Sequence, residues 1–276
     1  MSKFPRTEVG GISLSRLVAG SNWWLGYAHQ TQARATLVKA TQTRKKIADV
    51  LEVFAQAGVN CVLAPPEDLL IKAVDEAEDR TGKKIHRILT PNFDVPPDGG
   101  NLDEAQRSFD KARAGKATFC WPHTCITDRL YDGLTRTIRH MDVLCKMIRQ
   151  RGMIPGLSTH VPQVIRAADD TKLDVASYIC IYNSAGFLMP LEIDWTQRLI
   201  HSAKKPVMTI KPMAAGRVMP YVGLPFVWST LRDIDLVSAG TTTPDEAREV
   251  IEMSLAALEH RAPRVELQMT RSKKLL

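Results

Sequence analysis

A chain of 276 residues that is 44% hydrophobic can bury a full core, and its composition excludes a disordered or low-complexity protein. No apolar run approaches the ~18 residues of a membrane span, and the opening MSKFPRTEVGG lacks the apolar segment of a signal peptide, so a soluble, cytoplasmic protein with no membrane partner is expected. The net charge of +7 is spread along the chain, with local excess at 44–46 and in a basic tail from about 261 to 276. It comes without aromatic interleaving, a helix-turn-helix pattern or a zinc motif, which argues against nucleic acid and for a small anionic ligand. Five cysteines without a CxxC pair indicate neither a disulfide framework nor a zinc knuckle.

In chain order, strand patterns fall at 15–20 (SRLVAG), 59–64 (VNCVLA), 85–90 (IHRILT) and 117–121 (ATFCW). Four more follow at 153–158 (MIPGLS), 175–181 (VASYICI), 206–211 (PVMTIK) and 234–240 (IDLVSAG). The connection after the first, residues 21–42, is far longer than the usual few residues and reads as a loop serving as a lid or a partner surface. Helical spacing links Ile47, Val50, Leu51 and Phe54, stopped by Gly58; Leu70, Val74 and Ala77; Leu134, Ile138, Met141, Leu144 and Ile148; and Ala247, Val250, Ile251, Leu255 and Leu258. At the last of these, Thr243 caps, Pro244 takes the first turn and Glu246 closes a capping box. Eight strands alternating with helices over 1–276 predict an α/β protein, a single TIM (β/α)₈ barrel domain, with a doubly wound open sheet as the second choice.

In a barrel, ligands sit at the C-terminal strand ends. After the seventh and eighth strands, Lys211, Gly216 and Arg217 are followed by Gly240, Thr241, Thr242 and Thr243 at a helix start, a pattern suited to a phosphate-bearing ligand. Its bland alternative is a well-capped helix. His123, after the fourth strand, is the first candidate for acid, base or carbonyl polarisation, against a structural histidine beneath the site. His160 ends the neighbouring fifth strand, and with Glu67 the pair would make a two-histidine, one-carboxylate set. No linear spacing supports that set, so no metal is assigned.

Several segments resemble aldo/keto reductases, in order along the chain. FPRTEVGGISLSRLVAGSN (4–22) is similar to that family's opening hairpin and first strand, and IRQRGMIPGLSTH (148–160) to its fifth strand. ICIYN (179–183), VMTIKPMAAGRV (207–218) and VSAGTTTPDEAREVI (237–251) look like its sixth, seventh and eighth. The resemblance implies a barrel opened by a short N-terminal hairpin and an NAD(P) cofactor. It implies Ser158 at the nicotinamide amide, with residues 211–217 and 240–243 at the cofactor phosphates. Thr242 or Thr243 replaces the arginine that grips a 2′-phosphate, which puts NADP specificity in question.

The catalytic positions that the resemblance implies depart further. Leu63 stands in the aspartate's place, Glu67 or Asp68 near the tyrosine's, and Thr90, Pro91 and Asn92 where a lysine is expected. Of the usual four only His123 remains. The phenol delivers the proton as hydride arrives, and removing such an acid costs ~10² to 10⁴-fold in rate. Ordinary carbonyl reduction is therefore not expected. Three readings stay open: a divergent enzyme acting on a small anionic or phosphorylated molecule, an NAD(P)H-dependent oxidoreductase with relocated acid groups, Tyr27 first among them, and a non-catalytic binding or regulatory protein.

Overall fold

The computed structural model describes residues 4–27, 29–96 and 99–265. An antiparallel hairpin, β1 (Arg6–Val9) and β2 (Ile12–Ser15), comes first. Its turn is Gly10–Gly11, both at positive φ (56° and 82°), which the tight right-twisted connection requires. Parallel strands follow: β3 (Leu17–Gly20), β4 (Cys61–Ala64), β5 (His86–Leu89) and β6 (Phe119–Cys120). A small hairpin, β7 (Tyr131–Asp132) and β8 (Thr137–Ile138), interrupts the alternation. The series resumes with β9 (Ile154–Pro155), β10 (Leu157–Thr159), β11 (Tyr178–Ile181), β12 (Val207–Ile210) and β13 (Leu236–Gly240).

The sheet runs β10-β11-β12-β13-β3-β4-β5-β6-β9. Its two end strands are the halves of a single fifth strand: β9 pairs with β6 and β10 with β11, and only Gly156 lies between them. The ring is thus a nearly closed eight-stranded barrel. A Cβ at position 156 would come within 2.5 Å of Trp121 Cε2, so the indole of the neighbouring strand lies over the backbone where the strand breaks, and only glycine leaves it room.

Side chains alternate between two cores, as the strand period of two demands. Val18, Cys61, Ile88, Phe119, Ile179, Met208 and Leu236 fill the barrel, where Val9 and Leu14 of the hairpin join them. Leu17, Val62, Leu89, Val207 and Val237 face the helices. These are α1 (Gln32–Thr41), α2 (Arg44–Gln56), α3 (Asp68–Thr81), α4 (Asp103–Ala114) and α5 (Thr124–Leu130). The second half adds α6 (Met141–Gln150), α7 (Gln163–Asp170), α8 (Ile193–Ser202), α9 (Pro220–Thr230) and α10 (Pro244–Leu258). Ile47, Val50, Leu51 and Phe54 are the buried stripe of α2, as their spacing predicts. No helix among the described residues is long and apolar enough to cross a membrane.

Two expectations are corrected. Residues 21–42 are not a bare loop: Asn22–Leu25 form a 3₁₀ turn, and Thr31 caps α1 through its side chain. The helical pattern drawn from Leu134 to Ile148 is half wrong, since α6 begins only at Met141 and Leu134 is 97% exposed. Asp132 Oδ1 accepts from the amides of Leu134 and Thr135, and this local turn outcompetes the helix. Of the basic tail, 266–276 lies outside the described residues, and Arg261 is tied to Glu252 and Glu259.

Candidate functional site

At the C-terminal ends of the strands a cavity of about 1270 Å³ opens. Leu63, Thr90, His123, Ser158, Lys211 and Gly240, six residues placed by sequence at the ends of different strands, all line it. Gly216, Thr241 and Thr242 do so as well.

His123 has two roles at once. It is the N-cap of α5, and its Nδ1 accepts from the Cys125 amide at 3.3 Å. With Nδ1 an acceptor, the neutral ring carries its proton on Nε2 and can donate from there. Burial lowers its pKa, and the charge of Lys211 lowers it further against the opposing pull of Asp128. The imidazole is neutral near pH 7. His160 follows β10 and is pushed further, to about 4, chiefly by burial, with Lys211, His123 and His29 adding like charge. Its backbone N–H donates to Asp128 Oδ2 at 3.0 Å.

Asp128 and His29 escaped the sequence reading. Asp128 accepts from Thr124 Oγ1 (2.7 Å) and from Thr159 Oγ1, so its charge is held by hydroxyl and amide donors between α5 and the end of β10. The signal for it was available, because Thr124 and Asp128 stand four apart, just past the His123 cap. His29 belongs to no pattern; only the fold brings it to the mouth, where burial, Lys211 and Arg217 all lower its pKa.

Lys211 links these histidines, since its charge acts on all three. It sits directly after β12 with φ 59°, in the left-handed region that disfavours a side-chain-bearing residue, and Ala214 and Ala215 nearby share that conformation (48° and 56°). Among the described residues no carboxylate pairs with it, and burial alone brings its pKa down to about 8.

The phosphate side needs correction. Arg217 and Thr243 do not line the cavity. The Arg217 guanidinium lies 4.0 Å over the Phe187 ring and donates to the carbonyls of His29 (3.0 Å) and Ala214 (3.3 Å). The Thr243 hydroxyl is used as the cap of α10, accepting from the Glu246 amide. Glu246 reaches back as the capping box predicts, but its Oε2 accepts from the amide and hydroxyl of Thr242 (2.6 and 2.7 Å). The chain's own carboxylate therefore occupies the helix start. His123 and His160 share the cavity with Glu67, yet among the described residues no three His, Cys, Asp or Glu side chains form a group able to hold a metal.

No family model and no curated protein matches the sequence. Solved structures do match by shape. A protein of Pseudomona aeruginosa described as an aldo-keto reductase superposes with a TM-score of 0.64 at 14% identity, covering 92% of this chain and 96% of its own. An aldo/keto reductase from Klebsiella pneumoniae in complex with NADP and acetate gives 0.58 at 14%, covering 95% and 92%. One from the same organism in complex with NADPH gives 0.55 at 15%, covering 100% and 94%. The fold is that of the aldo-keto reductases. The short N-terminal hairpin and the parallel barrel are both present, at an identity that marks a divergent chain.

A dinucleotide fits this mouth poorly at its phosphate end. Ser158 and Lys211 line the floor. Beyond them Trp23 packs on Gly240, where a Cβ would come within 2.7 Å of Trp23 Cδ1. Gln30 crosses to the Ala215 carbonyl (3.0 Å) and stands against Gly216. Of the donors a pyrophosphate would use, the amide and hydroxyl of Thr242 go to Glu246 and the Arg217 guanidinium goes to the carbonyls of His29 and Ala214. Ser21 Oγ and Thr241 Oγ1 are buried there without a partner, but Glu246 and Glu249 share the wall, which suits a polar group better than a phosphate.

Proposed function

We propose that this chain is a divergent barrel enzyme that binds a small anionic molecule at the floor of its C-terminal cavity, and that ordinary NADPH-dependent carbonyl reduction is not its activity. One observation carries the reading: Lys211, half-buried after β12, meets no counter-ion among the described residues while its charge acts on three histidines of lowered pKa. A cation held this way gains most when an anion arrives, because the ligand supplies the missing partner in a site of low dielectric. The acidic side chains of the wall do not serve: Asp128 and Glu246 accept from hydroxyls and amides, and among the described residues neither Glu67 nor Glu249 forms an ion pair with Lys211. The overall charge of +7 favours the encounter.

His160, neutral near pH 7, gives this site a proton acceptor, and the Nε2 proton of His123 gives it a donor. That equipment favours an enzyme over a non-catalytic binding protein, which has no use for strained, desolvated titratable groups at a barrel mouth. For the oxidoreductase reading with relocated acids, Glu67 and Tyr27 both line the cavity, and Tyr27, the first candidate, is 53% exposed with Lys39 beside its ring.

Calorimetric titration with lactate and with inorganic phosphate, on the wild type and Lys211→Met, tests the proposal. A charge-assisted contact is worth ~1.5–3 kcal/mol, so at least one probe should bind and lose tenfold or more in the variant. Equal affinities, or tight NADPH binding with no response to lactate or phosphate, would overturn it.

A further inference from the structure

Lys211 carries more than a charge. It is a primary amine on the wall of a cavity large enough for a small metabolite, without a carboxylate paired to it among the described residues, and it shares that wall with His123 and His160, on both of which its charge acts. An anion site as such needs none of these features beyond the charge; a permanently protonated arginine would serve it better. An amine nucleophile needs all of them.

We propose that Lys211 forms an imine with a small carbonyl compound bearing an anionic group, with His123 and His160 relaying the protons of the condensation. The inference rests on the reading of the floor as a small-anion site and adds the covalent step. The Nζ lone pair attacks the carbonyl carbon, the C–N bond forms, and the C=O π pair moves to oxygen. A histidine takes the proton from the new ammonium centre and returns it to that oxygen, giving a neutral carbinolamine. A second proton, taken from solvent through the same imidazoles, lets the hydroxyl leave as water while the nitrogen lone pair closes the C=N bond. Amine, carbonyl and one proton thus give a protonated imine and one water, with no redox partner required.

The arrangement supports each step. The Cys125 amide at Nδ1 leaves His123 Nε2 as the protonated nitrogen, fixed by the first turn of α5, so its ring cannot turn away without breaking the cap. His160 keeps a free base at any physiological pH. Lys211 itself, with a pKa of about 8, has a reactive fraction near neutrality that an exposed lysine lacks.

The test is reductive trapping. Wild-type protein is incubated with pyruvate or glyceraldehyde 3-phosphate and cyanoborohydride, and adducts are located by peptide mass mapping. Lys211 should be modified at least tenfold faster than exposed lysines such as Lys39 and Lys45 in the same sample, with a rate that rises with pH and levels off above about 8. Lys211→Arg should form no adduct at this position. Because the comparison with surface lysines is internal to the wild type, it stands even if the variant folds poorly. Modification spread evenly over exposed lysines, or none at Lys211 while lactate still binds, overturns the imine and leaves the anion site standing. No adduct and no lactate binding overturns both.

Discussion

Replacing Lys211 by methionine should make the protein more stable, and the gain should depend on pH in a defined way. The side chains are of similar length, so packing changes little. The amine falls from its ordinary 10.5 to about 8 in the fold because burial penalises the ammonium. At 1.36 kcal/mol per pH unit that is about 3 kcal/mol, which partial solvent access at the mouth reduces to about 2–3 kcal/mol. Below pH 8 the lysine is charged in both folded and unfolded chains, and the native state carries the whole penalty. Between 8 and 10.5 the unfolded chain holds the proton that the native one has released, so wild-type stability rises with pH. Above 10.5 the penalty is gone. Lys211→Met should therefore gain its full 2–3 kcal/mol at pH 7 and almost nothing at pH 10.5. At about 2.1 cal/mol/K per residue the unfolding entropy of this chain is about 0.6 kcal/mol/K, so Tm should rise by about 3–5 °C at pH 7. Thermal scans of both proteins across pH 6–10.5 check this, with their difference cancelling titrations they share. A variant that is less stable at pH 7, or equally stabilised at every pH, would refute the claim that an unpaired ammonium is buried there.

Other outcomes follow from neighbouring groups. His160 titrates near 4 in the fold and near 6.5 unfolded, so the unfolded chain binds the extra proton in that window and stability falls as pH drops from 6.5 towards 4; His160→Asn should flatten urea midpoints measured at pH 7 and 4.5. Gly156→Ala should cost about 1–3 kcal/mol in urea unfolding and perturb tryptophan fluorescence, because its methyl meets the Trp121 indole. With NADPH and a panel of aromatic and aliphatic carbonyls, turnover should stay far below the ~1–10³ s⁻¹ typical of enzymes; robust turnover abolished by Tyr27→Phe would show that this tyrosine supplies the acid.

The architecture was legible because barrel strands bury both faces and read as apolar runs, several of them followed by a helix signal. All eight runs found in the sequence became barrel strands, and the six strand-end residues meet in one cavity. Where reading failed, a local hydrogen bond or a long-range contact decided. Asp132 turned the chain before α6, and spacing alone carries no trace of that competition. The helix start at Thr243 was read correctly as a cap and wrongly as an open anion site. One glutamate served both patterns, and only its reach to the Thr242 amide shows which it satisfies. Arg217 failed for the same reason, its partners being a carbonyl and a ring 188 and 30 residues away in sequence.

The placement of the half-buried Lys211 amine follows from the geometry of a closed barrel. Strand ends converge on a single volume, so a group lost from one strand can be supplied by another across the mouth without changing the fold. The resemblance to aldo/keto reductases implies a lysine after the third strand, where this chain has Thr90, and a carboxylate after the second, where it has Leu63. Here the lysine follows the seventh strand instead. An amine beside a phenol and a carboxylate tunes the acidity of its neighbours; Lys211, to which no carboxylate is paired among the described residues and whose pKa burial lowers, is free to act as a nucleophile itself. If Lys211 forms the proposed imine, the same fold attacks a carbonyl carbon with nitrogen rather than delivering a hydride to it, and the stitching of Gln30 and Trp23 over the phosphate end does not hinder that reaction.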